Sequence, residues 1–232
     1  MSADILILRP QPGADETAAR ACALDLRPAI APLFTIRPLA WQAPPGRFDA
    51  VMLTSANAAR HGGGLAPYLP MPCYAVGAAT ADAARAAGFA RIAVGASDGD
   101  ALAARMAADG VRSVLWLSGA DRTALAETAI RIVPVAVYAA DPVARLPAEA
   151  QKALSGGAIV LLHSARAAAR FAELAADKRA GTRIAALSGK VARAAGGGWA
   201  GIAVADRPRD DALLELAAKL CQTGPAMRLP HA

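Results

Sequence analysis

Apolar residues fall in short runs along this chain, and Ala-rich stretches with helically spaced charges lie between them. Ile5 to Leu8, Ala50 to Leu53, Cys73 to Val76 and Arg91 to Val94 are such runs. They are short and nearly continuous, as strands buried on both faces of a parallel sheet require. The pattern predicts helices starting near Asp15, Ala56, Thr80 and Asp100, with Ser, Thr or Asp close by to cap their free N–H groups. Strands alternating with helices imply an α/β protein with parallel sheets and right-handed crossovers.

The pattern is written twice. Asp49–Ala59 resembles Gly157–Ala168, and setting Ser55 on Ser164 gives an offset of 164 − 55 = 109. Tyr74–Ala84 resembles Ala185–Ala195 at 187 − 76 = 111, and Ile92–Val94 resembles Ile202–Val204 at 204 − 94 = 110. Upstream, Ile5–Leu8 resembles Val114–Leu117 at 114 − 5 = 109. Each copy closes on an Asp-led helix, Asp98 to Met106 and Asp210 to Leu220. A repeat of this length is a supersecondary unit used twice, and the repeat alone suggests one sheet per copy. Residues 223–232 read as a flexible tail.

Composition narrows the class. Hydrophobic residues make up 55% and aromatics 4%, so the core is built mainly from Ala, Val, Leu and Ile. The longest uncharged stretch, Gly62 to Ala81, contains Pro67, Pro70 and Pro72 and cannot be a lipid-facing helix. Met1 to Leu8 has no basic segment or cleavage site of a signal peptide, so a cytoplasmic protein is expected. Cys22, Cys73 and Cys221 have no metal-type spacing, and His61, His163 and His231 form no evident cluster with acids or cysteines. No metal site is expected.

The net charge is +6, and only four of the 25 basic residues are lysines (Lys152, Lys178, Lys190, Lys219), leaving 25 − 4 = 21 arginines. Arginine forks suit carboxylates and phosphates. The arginines are spread out, with acids between them and no aromatic interleaving, so a small anion fits better than nucleic acid.

In parallel sheets ligands gather where strands end and helices begin, because the N–H groups there are unpaired. The loops after the runs hold Ser55 and Asn57, Gly77 and Thr80, Ser118, Gly119 and Arg122, Ser164 and Arg166, and Ser188. Any single Ser or Thr among them also serves as a helix cap. Gly196-Gly-Gly198-Trp-Ala-Gly201 fits G-x-G-x-x-G, but it follows a helix and precedes a strand, the reverse of a dinucleotide fingerprint. It reads as a turn. His163 next to Ser164 has no third partner for a nucleophilic triad, and a strand-end residue is the simpler reading.

Leu8-Arg9-Pro10, Leu53-Thr-Ser-Ala-Asn57, Ala75–Ala81, Val135-Ala-Val-Tyr138, His163-Ser-Ala-Arg166 and the Ser188 loop, in that order, resemble the uroporphyrinogen-III synthase family over nearly the whole chain. The resemblance implies two flavodoxin-like parallel-sheet lobes joined by a two-stranded connector, with the active site in the cleft. The chain would cross near Pro32 to Leu39 and again near Pro134 to Pro142. The first lobe would then be 1–36 with 140–222, and the second 37–139.

The implied substrate is hydroxymethylbilane, a linear tetrapyrrole with many carboxylates, cyclised with loss of water and inversion of the last ring. No cofactor or metal takes part, and a cytoplasmic monomer is expected. Carried over by position, Tyr138 assists departure of the hydroxyl. Arg9, Ser55, Asn57, Gly77, Thr80, Ser118, Gly119, Arg122, Ser164, Arg166 and Ser188 bind substrate. The chain departs from the family pattern at Val191, where many relatives carry threonine, and at Ser188, where they carry glycine. The rival reading is a non-catalytic two-lobed binding protein for a small anion. A nucleotide-dependent enzyme lacks a phosphate loop in the right context.

Overall fold

The computed structural model describes residues 4–95 and 98–223. The stretch expected as a tail lies, from residue 224 on, outside the described residues. In chain order the first six strands are β1 (Ile5–Ile7), β2 (Pro28–Ile30), β3 (Phe34–Pro38), β4 (Ala50–Leu53), β5 (Cys73–Val76) and β6 (Ile92–Gly95). The others are β7 (Ser113–Gly119), β8 (Arg131–Pro142), β9 (Ile159–Leu162), β10 (Arg183–Ala186) and β11 (Gly201–Val204). The helices are α1 (Gly13–Cys22), α2 (Ala56–His61), α3 (Ala78–Ala86) and α4 (Gly99–Ala108). Then come α5 (Ala148–Ser155), α6 (Ala165–Leu174), α7 (Gly189–Ala195) and α8 (Asp210–Gln222).

Two sheets result, each belonging to one compact unit. The first unit holds the described residues up to Thr35 and from Pro142 onward, and the second holds Ile36–Asp141. The first sheet has the order β2-β1-β9-β10-β11, with every pair parallel. The second runs β3-β8-β7-β4-β5-β6, parallel from β8 onward. At its end Leu39 N–H donates to Val137 O at 2.9 Å and Val143 N–H to Leu33 O at 3.0 Å, so β3 runs antiparallel to β8.

One strand set per copy was the expectation from the repeat, and the topology corrects it. β1 sits in the first sheet and β7, its counterpart in sequence, in the second. β4, β5 and β6 lie in the second sheet, whereas their counterparts β9, β10 and β11 lie in the first. Each sheet therefore draws strands from both halves of the chain. Counterparts nonetheless take equivalent places: β2-β1-β9-β10-β11 in one sheet matches β8-β7-β4-β5-β6 in the other.

The short apolar runs become strands because both faces are covered. Ile5, Ile7, Ile159 and Leu161 pack with Ala14 and Ala21 of α1 and Leu213 and Leu214 of α8. In the second sheet the alternation of a strand sends Val51, Leu53, Leu115 and Leu117 toward Ala58 of α2 and Ala84 of α3. It sends Met52, Val114 and Trp116 to the opposite face, against Leu102 and Met106 of α4. The edge strands depart from full burial: Val94 of β6 is 40% exposed and Val204 of β11 41%. Each has a neighbouring strand on one side only.

Helix starts lie within two residues of expectation, but not every cap is a side chain. Asp98 accepts from Ala101 N–H, whereas α1 begins behind Pro12 and α3 behind Gly77, both without a capping side chain. The glycine-rich turn Gly196 to Ala200 joins α7 to β11, as its context in the sequence requires.

Candidate functional site

In the second unit the strand ends present their loops side by side. Strand order puts Tyr138 of β8 first, then the β7 loop with Gly119 and Arg122, the β4 loop with Ser55 and Asn57, and the β5 loop with Gly77 and Thr80. Tyr138 pairs with Gly119 across a register shift between Ser118 and Gly119. Its ring rests on that glycine: a Cβ added to Gly119 would lie 2.9 Å from Cζ and 3.0 Å from Oη of Tyr138. Ala120 N–H donates to Tyr138 O at 2.9 Å, which holds the strand end beneath the ring.

The other candidates in this unit divide by what their side chains do. Ser118 is 1% exposed and its hydroxyl turns to the carbonyls of Gly119 and Val135. Arg122 stacks over Trp116 with its guanidinium carbon 5.7 Å from the ring centre. Trp116 Nε1–H donates to Thr54 Oγ1 at 3.1 Å, tying the β7 strand to the β4 loop. Ser55 caps α2 by accepting from Asn57 N–H at 3.2 Å. Thr80 is a buried residue in the first turn of α3, 6% exposed.

Gly77 stands directly before α3 with φ 75° and ψ 163°, a region open essentially to glycine alone. Nothing lies within 4 Å of a Cβ built there, so the glycine is needed for its backbone and not for space. Gly77→Ala should destabilise the protein by about 1–3 kcal/mol in urea unfolding.

In the first unit, Arg9 follows β1, Ser164 and Arg166 follow β9, and Ser188 follows β10, again on neighbouring strands. Ser164 caps α6 by accepting from Ala167 N–H at 3.2 Å, and Ser188 caps α7 from Val191 N–H at 3.4 Å. The guanidinium of Arg166 lies 4.5 Å from the ring centre of Phe34. Val191, where many relatives have threonine, is 5% exposed and packs as an apolar residue. At the capped loops the serine side chains are engaged, which leaves backbone N–H groups as the donors for a ligand.

One cluster escaped the sequence reading, which set the histidines apart from acids. His163 Nε2 lies 2.8 Å from Asp210 Oδ1, the first residue of α8. Thr17 Oγ1–H donates to the same carboxylate, at 3.0 Å to Oδ1 and 3.1 Å to Oδ2. Arg20 also pairs with it, and Arg9 Nη1 donates to Thr17 Oγ1 at 3.2 Å. These partners stand up to 193 residues apart in sequence, so no local spacing announces them.

Burial opposes ionisation of Asp210, but hydrogen bonds from His163 and Thr17 and the Arg20 contact outweigh it and hold the carboxyl at about 2. Burial pushes the His163 imidazole below its usual value; the Asp210 hydrogen bond resists this and the charge of Arg9 adds to it. An ionised carboxylate can only accept, so His163 Nε2–H is the donor to Asp210. Its buried Nδ1 has no hydrogen-bond partner among the described residues.

A histidine whose value is depressed on folding contributes stability above its unfolded value near 6.5, and that contribution is lost as pH falls below it. Acidification from about pH 7 to about pH 5.5 should therefore lower the thermal midpoint, and His163→Gln should flatten that fall. An unchanged slope in the variant would remove His163 from the acid response.

A pocket of about 450 Å³ opens in the second unit between Trp41, His61, Gly63 and Tyr68. It contains none of the strand-end candidates. Among the described residues, no group of three His, Cys, Asp or Glu could hold a metal ion, and no helix is long and apolar enough to cross a membrane.

The family model described as Uroporphyrinogen-III synthase HemD matches residues 15–215. This chain belongs to the uroporphyrinogen-III synthase family. Uroporphyrinogen-III synthases are lyases of tetrapyrrole biosynthesis. Comparison with curated protein sequences finds no significant match.

Solved uroporphyrinogen-III synthases share the fold. The Helicobacter pylori enzyme superposes with a TM-score of 0.64 at 18% identity, covering 95% of this chain and 100% of its own. A mutant of the Thermus thermophilus enzyme gives 0.54 at 16% identity, with 94% and 99% covered. In this uroporphyrinogen-III synthase family member each unit's row of strand-end loops carries helix N-termini and guanidinium groups, Arg9 and Arg166 in the first and Arg122 in the second. Such an array suits an anionic small molecule.

Proposed function

We propose that this chain converts hydroxymethylbilane to uroporphyrinogen III, with Tyr138 assisting departure of the hydroxyl and strand-end loops binding the carboxylates. The family match over residues 15–215 carries the reading. The geometry agrees with it: the donors at the loops are backbone N–H groups at helix starts, which favour carboxylates through both hydrogen bonding and the helix dipole.

The chemistry makes two demands. Loss of the hydroxyl as water requires a proton at the leaving oxygen, and on this reading the phenol of Tyr138 donates a hydrogen bond or that proton. The resulting azafulvene can close directly to the unwanted isomer, so the enzyme must direct attack to the substituted carbon of the last ring, through a spiro intermediate. A preference of about 99 to 1 needs only about 2.7 kcal/mol between the two barriers. Holding a polyacid by several fixed N–H groups can supply that by orientation alone. On this reading Arg9, Ser55, Asn57, Gly77, Thr80, Ser118, Gly119, Arg122, Ser164, Arg166 and Ser188 bind the substrate. For Ser118 the contribution is its backbone. On this reading the protein is a cytoplasmic monomer that uses neither metal nor organic cofactor and does not engage nucleic acid.

The test supplies hydroxymethylbilane to the protein, oxidises the products and separates the isomers. Rapid formation of isomer III is the expected result. Only isomer I, at the rate seen without protein, would overturn the assignment.

A further inference from the structure

The buried cluster around Asp210 has a geometry that its contribution to packing does not require. Arg9 leaves the end of β1, in the first unit's row of strand-end loops, and its side chain is 28% exposed. Its guanidinium lies flat against the start of α1: a Cβ on Gly13 would meet Nε at 2.7 Å and both Cζ and Nη2 at 2.8 Å. Any residue but glycine at 13 would force the guanidinium away. The Nη1 edge is held from the other direction, at 3.2 Å from Thr17 Oγ1 and 3.7 Å from Asp210 Oδ1.

Thr17 is wholly buried and bridges the two, accepting from Arg9 while donating to Asp210. His163 Nε2 donates to the same Oδ1 at 2.8 Å. The carboxylate thus faces two guanidinium groups, Arg9 and Arg20. A planar fork fixed on a strand end is prearranged for a carboxylate.

We propose that Asp210 and Thr17 are positioning residues for substrate binding, fixing the Arg9 guanidinium for one carboxylate of the tetrapyrrole. The inference rests on the function proposed above and adds to it residues outside the strand-end motifs. Asp210 acts through Thr17 and through its own charge. His163 helps to hold Asp210 in place through its hydrogen bond to Oδ1.

The experiment compares steady-state kinetics on hydroxymethylbilane for wild type, Arg9→Ala, Arg9→Lys, Thr17→Val, Asp210→Asn and the double variant Arg9→Ala/Thr17→Val, each with its thermal midpoint. Losing one charge-assisted contact to substrate should raise KM about tenfold, and Arg9→Ala should do so with kcat within about twofold. Thr17→Val and Asp210→Asn should raise KM in the same direction. Arg9→Lys should fall between, because the charge stays and the fork is lost. In the double variant, Thr17→Val should add little to Arg9→Ala, since both remove one positioned group.

A lowered midpoint with wild-type KM in Thr17→Val and Asp210→Asn would make the cluster purely structural and overturn the proposal. So would an unchanged KM in Arg9→Ala, which stands even if Asp210→Asn fails to fold. Absence of isomer III with the wild-type protein would instead overturn the functional reading, and this inference with it.

Discussion

Replacing Tyr138 by phenylalanine is expected to lower kcat about a hundredfold, with KM within about threefold of wild type. The phenol is the one hydroxyl in the second unit's strand-end row whose ring is fixed by the sheet itself. Its backbone pairs with β7 and its ring rests on Gly119. Two other hydroxyls of the row are engaged otherwise: Ser55 caps α2 and Ser118 turns to the carbonyls of Gly119 and Val135. Phenylalanine keeps the ring and its packing and deletes only the donor, so a change in kcat reports the hydroxyl. The effect is set at the low end of proton-transfer contributions, because the azafulvene cation stabilises itself and the leaving group needs only a hydrogen bond or one proton. Initial rates with isomer analysis check it. Wild-type kcat in Tyr138→Phe would remove the phenol from the mechanism and leave Tyr138 as a packing residue. A loss of isomer selectivity without loss of rate would instead make the ring a steering surface.

The fold was legible in the sequence wherever burial on both faces writes itself as a continuous apolar run. Ile5 to Leu8, Ala50 to Leu53 and Cys73 to Val76 fall on strands because nothing polar can stand between two helical layers. β6 and β11 were legible as strands but not as edges, since Val94 and Val204 look the same in sequence whether covered or not. The exchange of strands between the two halves was invisible to the repeat alone: offsets say which segments correspond, never which sheet each joins. At the site, serine and glycine before helical patterns marked the strand-end loops, because capping and ligand binding demand the same small residues. What the caps leave over, backbone N–H groups, has no signature of its own. The Asp210 cluster had none either. Thr17 and Asp210 meet across 193 residues, and Asp210 read only as a helix start because that is also where an acid favours the helix dipole.

Gly119→Ala is expected to lower kcat between about tenfold and about a hundredfold, although alanine is otherwise acceptable in the strand. Gly119 has no positive φ, so the backbone tolerates a side chain and the effect must come through what the methyl touches. It would meet Cζ of Tyr138 at 2.9 Å and the hydroxyl oxygen at 3.0 Å, closer than carbon atoms can approach. The strand is held by β4 on one side and β8 on the other, so the ring must yield. Displacing a catalytic group by about 1 Å is enough for a hundredfold loss. The second variant isolates the cause: in a Tyr138→Phe background, Gly119→Ala should change kcat less than about threefold, because the displaced ring no longer carries the donor. Measured together, the four proteins form a cycle whose coupling reads the placement of one hydroxyl. Equal losses from Gly119→Ala with and without the phenol would mean that the methyl acts on substrate or on the β7 loop directly, and the link between Gly119 and Tyr138 would fall.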